Sequence, residues 1–117
     1  MSASSKLELL RTETAQAYQG CKDFKITRVD DLYQIASLSL VDQIARLAVI
    51  AEVDTDQICG IFVVEDEAER RKMFDLIFKK AARNCRHLDP RFRLYVKKFR
   101  SKGRQILQAR VLEFRRG

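Results

Sequence analysis

Residues 66–88, with the sequence DEAERRKMFDLIFKKAARNCRHL, predict the clearest helix of this chain, running from Asp66 to about His87. Apolar residues recur there at intervals of three and four, which places them on one face of a helix. They are Phe74, Ile77, Phe78, Ala81, Cys85 and Leu88. Basic residues lie on or beside the opposite face, namely Lys72, Lys79, Lys80, Arg83 and Arg86. We expect this helix to form the centre of the core and to expose a row of cations.

Four acids surround the start of this helix: Glu65, Asp66, Glu67 and Glu69. Such a cluster can hold a divalent metal for nuclease chemistry, but no partnering site with metal-binding spacing is visible elsewhere in the sequence. Negative charge is also favoured at a helix N-terminus, because it meets the positive end of the helix dipole. We interpret these acids as capping residues and predict no metal site.

Short polar residues followed three positions later by an acid or amide mark further helix starts. The pairs are Ser5 with Glu8, Ser39 with Asp42, Asp54 with Gln57 and Asp66 with Glu69, and Asp89-Pro90 marks a start of another kind. These signals, with the apolar spacing, predict helices over residues 6–19, 31–38 and 40–52. Four Gly and one Pro are too few for a chain of many tight turns, so the sequence favours a mainly helical protein.

Residues 47–62, LAVIAEVDTDQICGIF, predict two helices joined by a short turn. The residues suited to the helix crossing, the turn, the cap and the buried inner face are Ala48, Ala51, Val53, Asp54, Ile58 and Phe62. This spacing resembles the general helix-turn-helix pattern, although Glu52 stands where the turn usually has Gly. The resemblance implies a packed helix pair and points to no particular family.

The second helix of this pair lacks the side chains that read DNA bases. It would offer a DNA groove Thr55, Asp56, Gln57, Cys59, Gly60 and Val63, with no Arg, Lys or Asn among them. We therefore favour a packed helix pair with no role in DNA readout. Because Ile58–Val64 is rich in β-branched residues, a buried strand is the alternative for that stretch.

Residues 89–117 fit two structures. As one long helix, they place Phe92, Tyr95, Phe99 and Ile106 on a stripe that contains Gly103 as a weak point. As a hairpin, Phe92, Leu94 and Val96 alternate with Arg93, Tyr95 and Lys97. Residues 101–103 supply the turn, and Leu107, Ala109 and Val111 form the returning strand. We favour the helix. The predicted fold is mainly α, a compact multi-helix domain with a helix-turn-helix-like pair and a basic C-terminal segment; the alternative is an α+β fold with a C-terminal β-hairpin.

The length of 117 residues and the 46% hydrophobic content predict a single domain over residues 1–117, with residues 1–5 loose. Cys21, Cys59 and Cys85 are odd in number and lack paired spacing, which is typical of reduced intracellular thiols. The first residues lack the apolar run of a signal peptide, and no apolar run approaches the roughly 20 residues of a membrane helix. We expect no membrane span and a cytoplasmic location, or a nuclear one in a eukaryote.

Charge is strongly segregated along the chain. Residues 70–117 carry 17 basic and three acidic side chains, a net +14, whereas residues 1–69 carry six basic and 13 acidic ones, a net −7. Surfaces that serve only solubility normally mix the two signs. Lys and Arg that neutralise phosphates explain the segregation, and an aromatic residue can stack on bases. The predicted nucleic-acid-binding residues are Lys79, Lys80, Arg83, Arg86, Arg91, Arg93, Tyr95, Lys97, Lys98, Arg100, Lys102 and Arg104.

The sequence favours a small non-enzymatic protein that binds DNA or RNA, as a regulatory or accessory factor for processes such as transcription. It contains no glycine-rich phosphate loop, nucleophile elbow or zinc-protease helix, and Cys85 with His87 does not make a zinc site. We predict no catalytic residue and no cofactor. The alternative is an adaptor whose basic amphipathic C-terminal segment docks on an acidic protein. The acidic N-terminal half would serve packing or self-association as a homodimer.

Overall fold

The structure is a computed structural model that describes residues 3–27, 29–85 and 92–116. Within these ranges the side chains are described except at residues 3, 4, 29, 30, 32, 33, 92–96 and 99. The described chain forms six α-helices and no strand. They are α1 (Ala3–Gly20), α2 (Val29–Ala36), α3 (Leu40–Ala51), α4 (Thr55–Ile61), α5 (Glu67–Cys85) and α6 (Phe92–Arg116). None of these helices is both long and apolar enough to cross a membrane.

The prediction of a mainly α fold is confirmed, and the two β alternatives are wrong. Residues 92–116 form one helix rather than a hairpin, and residues 55–61 form α4 where a strand was the alternative. Helix α1 begins at Ala3, so Ser5 lies inside it and is not its cap. The predicted helix start at Asp89-Pro90, the predicted helix end near His87 and the last stripe residue, Leu88, lie outside the described residues.

Side-chain caps fix the starts of three helices, as their sequences predict. Ser39 accepts a hydrogen bond from the backbone N–H of Asp42, and Asp54 accepts one from that of Asp56. The carboxylate of Asp66 accepts the backbone N–H of Ala68 at 2.9 Å, just before α5. Each cap satisfies a donor that the first turn of a helix leaves without an intrahelical acceptor. The acids before α5 thus include a capping residue.

Helix α5 lies at the centre of the core, between α3 and α6. Its apolar stripe is buried as predicted, with Phe74 and Ala81 fully inaccessible and Phe78 only 4% exposed. Helix α1 packs on α3 and α4, α2 packs on α3 and α6, and α4 packs on α5. Phe62, at the end of α4, contacts both α5 and α6. Its ring makes edge contacts with Phe74 and with Phe114 at centroid distances of 5.7 and 5.8 Å.

Side-chain amides donate hydrogen bonds to the backbone carbonyls at the ends of two helices. Gln43, which is 4% exposed, donates from its side-chain amide to the carbonyls of Ile35 and Ala36 at the end of α2. Asn84 of α5 donates to the carbonyl of Ile50 in the last turn of α3 at 2.9 Å. Carbonyls at a helix end have no intrahelical donor, so these amides stabilise both the helix ends and the packing of their neighbours.

Candidate functional site

Helices α5 and α6 run antiparallel, which brings two groups of cations to the same end of the pair. Later residues of α6 contact earlier residues of α5. Phe78 contacts Gly103, Arg70 contacts Gln108, and Glu65, just before α5, contacts Arg115. The end of α5 therefore lies beside the early part of α6. Six predicted site residues, all exposed, are placed there: Lys79, Lys80 and Arg83 on α5, and Lys97, Lys98 and Lys102 on α6. We call these six residues the cationic end.

Most of the cationic end has no counter-charge within the described part of the chain. Lys79, Lys80, Arg83, Lys97 and Lys98 make no ion pair and no side-chain hydrogen bond with any described residue. Lys79 and Arg83 are four residues apart on α5, and Lys98 and Lys102 are four apart on α6, so like charges neighbour each other on both helices. Five of the six cations are therefore exposed without an ion pair to a described residue.

Two other predicted site residues, Arg100 and Arg104, are already paired. The Nη2 atom of Arg100 donates to both carboxylate oxygens of Asp75 at 2.9 Å, and Nη1 of Arg104 lies 3.6 Å from Oδ1 of the same residue. The three side chains are about one quarter to one third exposed, at 27%, 35% and 26% for Arg100, Arg104 and Asp75. These arginines therefore join α6 to α5 in addition to carrying charge near the surface.

Three further arginines of the basic segment contact neighbouring parts of the fold. Arg70 is 6% exposed and donates to the carbonyl of Val64 at 2.6 Å and to Oε1 of Gln108 at 3.3 Å. Arg115 donates to the same carbonyl and to Glu65 at 2.7 Å. Arg110 reaches the carbonyl of Leu38 and the carboxylate of Glu113. The exposed and unpaired part of the segment is accordingly made mostly of lysines.

Four predicted site residues have no described side chain. Arg86 and Arg91 lie outside the described residues, while Arg93 and Tyr95 belong to α6 but their side chains are not described. Their predicted role in binding stays a prediction. The segment that contains Arg86 and Arg91 connects the two helices of the cationic end, so its sequence adds positive charge to the same part of the chain.

One exposed cation on the same face of α5 as Lys79 and Arg83 was not among the predicted site residues. Lys72 is exposed on α5 and makes no ion pair with a described residue. It precedes Lys79 by seven residues and Arg83 by eleven, a spacing that keeps all three on one face of a helix. Leu76, which is 60% exposed, lies on the same face between them. The helical spacing of residues 72, 76, 79 and 83 in the sequence was the signal that could have placed Lys72 on this face.

The helix-turn-helix-like pair offers no basic surface. Helices α3 and α4 are joined by residues 52–54, and Glu52 adopts the left-handed conformation at φ 56° and ψ 47° where this turn usually has Gly. Thr55 and Cys59, expected to face a groove, are instead buried at 8% and 0% exposure. Asp56 and Gln57 remain exposed on α4. An exposed acid on this helix repels phosphate, which agrees with a packing role for the pair.

The three cysteines are buried thiols with weak acidity. Burial raises the pKa of Cys85 to about 11 from its ordinary value of 9.0, and burial also raises the pKa of Cys21 and of Cys59. The Sγ atom of Cys59 lies 3.3 Å from Oγ1 of Thr14, inside the contact between α1 and α4. Thiolates are the reactive form of cysteine, so these environments are not those of nucleophiles. Among the described residues, no three His, Cys, Asp or Glu side chains are grouped to hold a metal ion.

No protein-family model, curated protein or solved structure matches the chain.

Proposed function

We propose that this chain is a non-enzymatic nucleic-acid-binding protein, a regulatory or accessory factor that contacts phosphates through its cationic end. The observation that carries the proposal is the gathering of six exposed cations on two adjacent helices. Five of these, all except Lys102, have no partner among the described residues. A surface of this kind attracts a polyanion because binding releases the counterions condensed on the phosphates.

Repulsion within the cationic end favours the same function. The pair Lys79–Arg83 places like charges four residues apart, at a cost of about 0.2 to 0.5 kcal/mol in a helix. A bound phosphate backbone removes this cost because it places negative charge between the cations. The protein therefore gains stability on binding that it lacks when free.

The side-chain types favour contacts with the backbone over the reading of bases. Arginine recognises guanine edges through a planar fork, whereas lysine acts as a flexible point charge. The cationic end contains five lysines and one arginine, whereas Arg70, Arg100 and Arg104 are buried or held in contacts within the fold. We therefore propose binding with little dependence on nucleotide sequence.

A salt titration tests this function. Fluorescence anisotropy is recorded with labelled duplex DNA and with labelled single-stranded RNA over a range of NaCl concentrations. If the six residues of the cationic end each contact a phosphate, the logarithm of the binding constant falls with the logarithm of salt at a slope of about −5 on duplex DNA. Absence of binding to both nucleic acids at low salt would refute the proposal.

A second candidate function is that of an adaptor for an acidic protein, and Leu76 is the observation that favours it. A leucine 60% exposed among Lys72, Lys79 and Lys80 provides an apolar anchor within a basic helix face. Protein grooves that bind amphipathic helices use such anchors at a spacing of three or four residues. A discrete complex that survives nuclease treatment and is lost on Leu76→Ala would support the adaptor over nucleic-acid binding.

A further inference from the structure

Asp75 is an isolated acid among the basic residues of α5. It is the only described acid on α5 beyond Glu69, and it follows Lys72 by three residues and precedes Lys79 by four. Across the helix pair it meets Arg100 and Arg104, which lie close in sequence to Lys97, Lys98 and Lys102. A single carboxylate thus stands among cations contributed by both helices.

The contact geometry resembles the binding of an external anion by two guanidinium groups. Both oxygens of Asp75 accept from Arg100 at 2.9 Å, and one oxygen also lies 3.6 Å from Arg104. About a quarter of the Asp75 side chain remains exposed, so solvent and dissolved ions reach the pair. The Nε atom of Arg100 is buried and has no acceptor among the described residues, so Asp75 satisfies only part of the guanidinium.

We infer that Asp75 is an affinity-determining residue, an internal carboxylate that occupies a phosphate site between Arg100 and Arg104 and keeps both arginines out of the nucleic-acid contact. The inference rests on the proposed function and deepens it. Without the carboxylate, the two arginines become available to a phosphate group of the nucleic acid. The natural protein consequently binds more weakly, and releases its ligand more readily, than its basic residues alone would allow.

Arg100 and Arg104, which the sequence places in the binding surface, therefore contribute little to it. An ion pair that is one quarter exposed is accessible, but a phosphate must displace the carboxylate before it can bind. Asp75 cannot leave the site, because it is part of α5 and is present at a high effective concentration. Competition from an attached carboxylate is therefore stronger than competition from a free anion.

The test compares the salt dependence of duplex DNA binding by the wild type and Asp75→Asn. Asparagine keeps the size of the side chain and removes its charge. With two additional phosphate contacts the slope is expected to change from about −5 to about −7, with tighter binding at low salt. The matched control is Glu113→Gln, which removes the only other described acid of residues 70–116 and raises the net charge by the same amount. An equal change in the control would overturn the inference, because the effect would then come from total charge.

A second variant replaces Asp75 and both arginines with neutral side chains. Asp75→Asn combined with Arg100→Gln and Arg104→Gln is expected to keep the wild-type slope of about −5. A slope near −3 would show that the two arginines already contact phosphate in the wild type, and the inference would fail. Circular dichroism melts confirm that each variant is folded before its binding is measured, and the triple variant decides the question if Asp75→Asn alone does not fold.

Inorganic phosphate separates this inference from the proposed function. The melting temperature of Asp75→Asn is expected to rise in sodium phosphate relative to sodium chloride of equal ionic strength, while that of the wild type does not, because a ligand stabilises the state that binds it. This result without nucleic-acid binding by the wild type would remove the proposed function and keep the anion site. Nucleic-acid binding with no difference between the two proteins in either assay would keep the function and reject the role of Asp75.

Discussion

The ring of Phe78 on α5 packs directly against the backbone of α6 at Gly103. A Cβ atom placed on Gly103 would lie 2.5 Å from Cε1 and 2.7 Å from Cζ of that ring, much closer than carbon atoms approach. The glycine in the middle of a 25-residue helix is therefore the point at which α6 accepts an aromatic ring from α5. The close approach of the two helices depends on the absence of a side chain there.

Gly103→Ala is expected to destabilise the protein, although Ala is normally the better helix former by about 1 kcal/mol. Because Phe78 is only 4% exposed, its ring has little room to move, and we expect a loss of about 1 to 3 kcal/mol in the free energy of unfolding. Urea denaturation measures the change. Gly60→Ala in α4 is the matched control, since nothing lies within 4 Å of a Cβ at that position. The control should be neutral or stabilising, and equal effects at the two glycines would contradict the packing argument.

Phe78→Ala is expected to cost about 3 to 5 kcal/mol, because it removes a buried ring from the contact between two helices and leaves a cavity. A loss of this size is a large fraction of the stability of a domain of this length. Thermal melts of the variant and of Leu76→Ala on the same helix provide the comparison. Leu76 is 60% exposed, so its truncation should change the free energy of unfolding by less than about 0.5 kcal/mol. A melting temperature for Phe78→Ala within a few degrees of the wild type would be inconsistent with the packing.

Glu52→Gly is expected to stabilise the protein by about 1 kcal/mol. Glu52 has a positive φ of 56°, a conformation that strains residues with a Cβ and suits glycine. Its side chain is exposed and makes no described ion pair, so little is lost on its removal. Glu52→Ala keeps the Cβ and should bring no such gain. Denaturant midpoints of the three proteins decide between the backbone explanation and a loss of side-chain charge.

Reversal of Lys97 and Lys98 to Glu is expected to weaken binding to all nucleic-acid sequences alike and to bring the salt slope on duplex DNA closer to zero by about 2. Both lysines are exposed, so the fold should be retained. Lys22→Glu with Lys25→Glu makes the same change of charge at exposed lysines between α1 and α2 and serves as the control. If the control weakens binding as strongly, attraction is a property of net charge rather than of the cationic end.

The unfolding free energy is expected to fall between about pH 9 and pH 11 in part through Cys85. Its pKa is raised to about 11 by burial, whereas a thiol in the unfolded chain ionises near its ordinary pKa of 9.0. The stabilisation from the neutral thiol is therefore complete below pH 9 and is lost as the pH rises toward 11. Cys85→Ala has no group to ionise, so its stability should decline less steeply over this range. Parallel declines of the two proteins would exclude a contribution from Cys85.

The sequence predicts the helical elements well where one periodic pattern dominates. The spacing of Phe74, Ile77 and Phe78 fits only a helix face, and these residues are buried. The cap residues Ser39 and Asp54 also lie at the positions that the sequence predicts. Residues 92–97 are different, because apolar residues alternate there with Arg93, Tyr95 and Lys97 within a segment that also has helical spacing. The local sequence pattern does not distinguish a helix from a hairpin here. The packing of α6 on α5 selects the helix.

The candidate site is predictable as a set of charges but not as a set of contacts. Arg100 and Asp75 are 25 residues apart in the chain and meet only because α5 and α6 are antiparallel. Nothing in the spacing of the basic residues distinguishes these paired arginines from the unpaired Lys97 and Lys98. Gly103 likewise reads as a helix weakness or a turn, since its role depends on Phe78 in another helix. Tertiary pairing, which no local pattern contains, decides which cations stay available to a ligand.

Phe114 and Val111 complete the aromatic centre of the molecule from near the end of the last helix, and the carbonyl of Phe114 accepts a hydrogen bond from Lys6 at 3.1 Å near the start of the first. A ribosome releases the first five helices before these residues, so the growing chain exposes the Phe62 surface until α6 emerges. Exposed apolar surface of this kind makes partly synthesised chains prone to aggregation. Leu107 is the first buried residue described in α6. Folding is therefore completed only after α6 has been made, and ribosomes that stall before Leu107 should leave chains that need a chaperone.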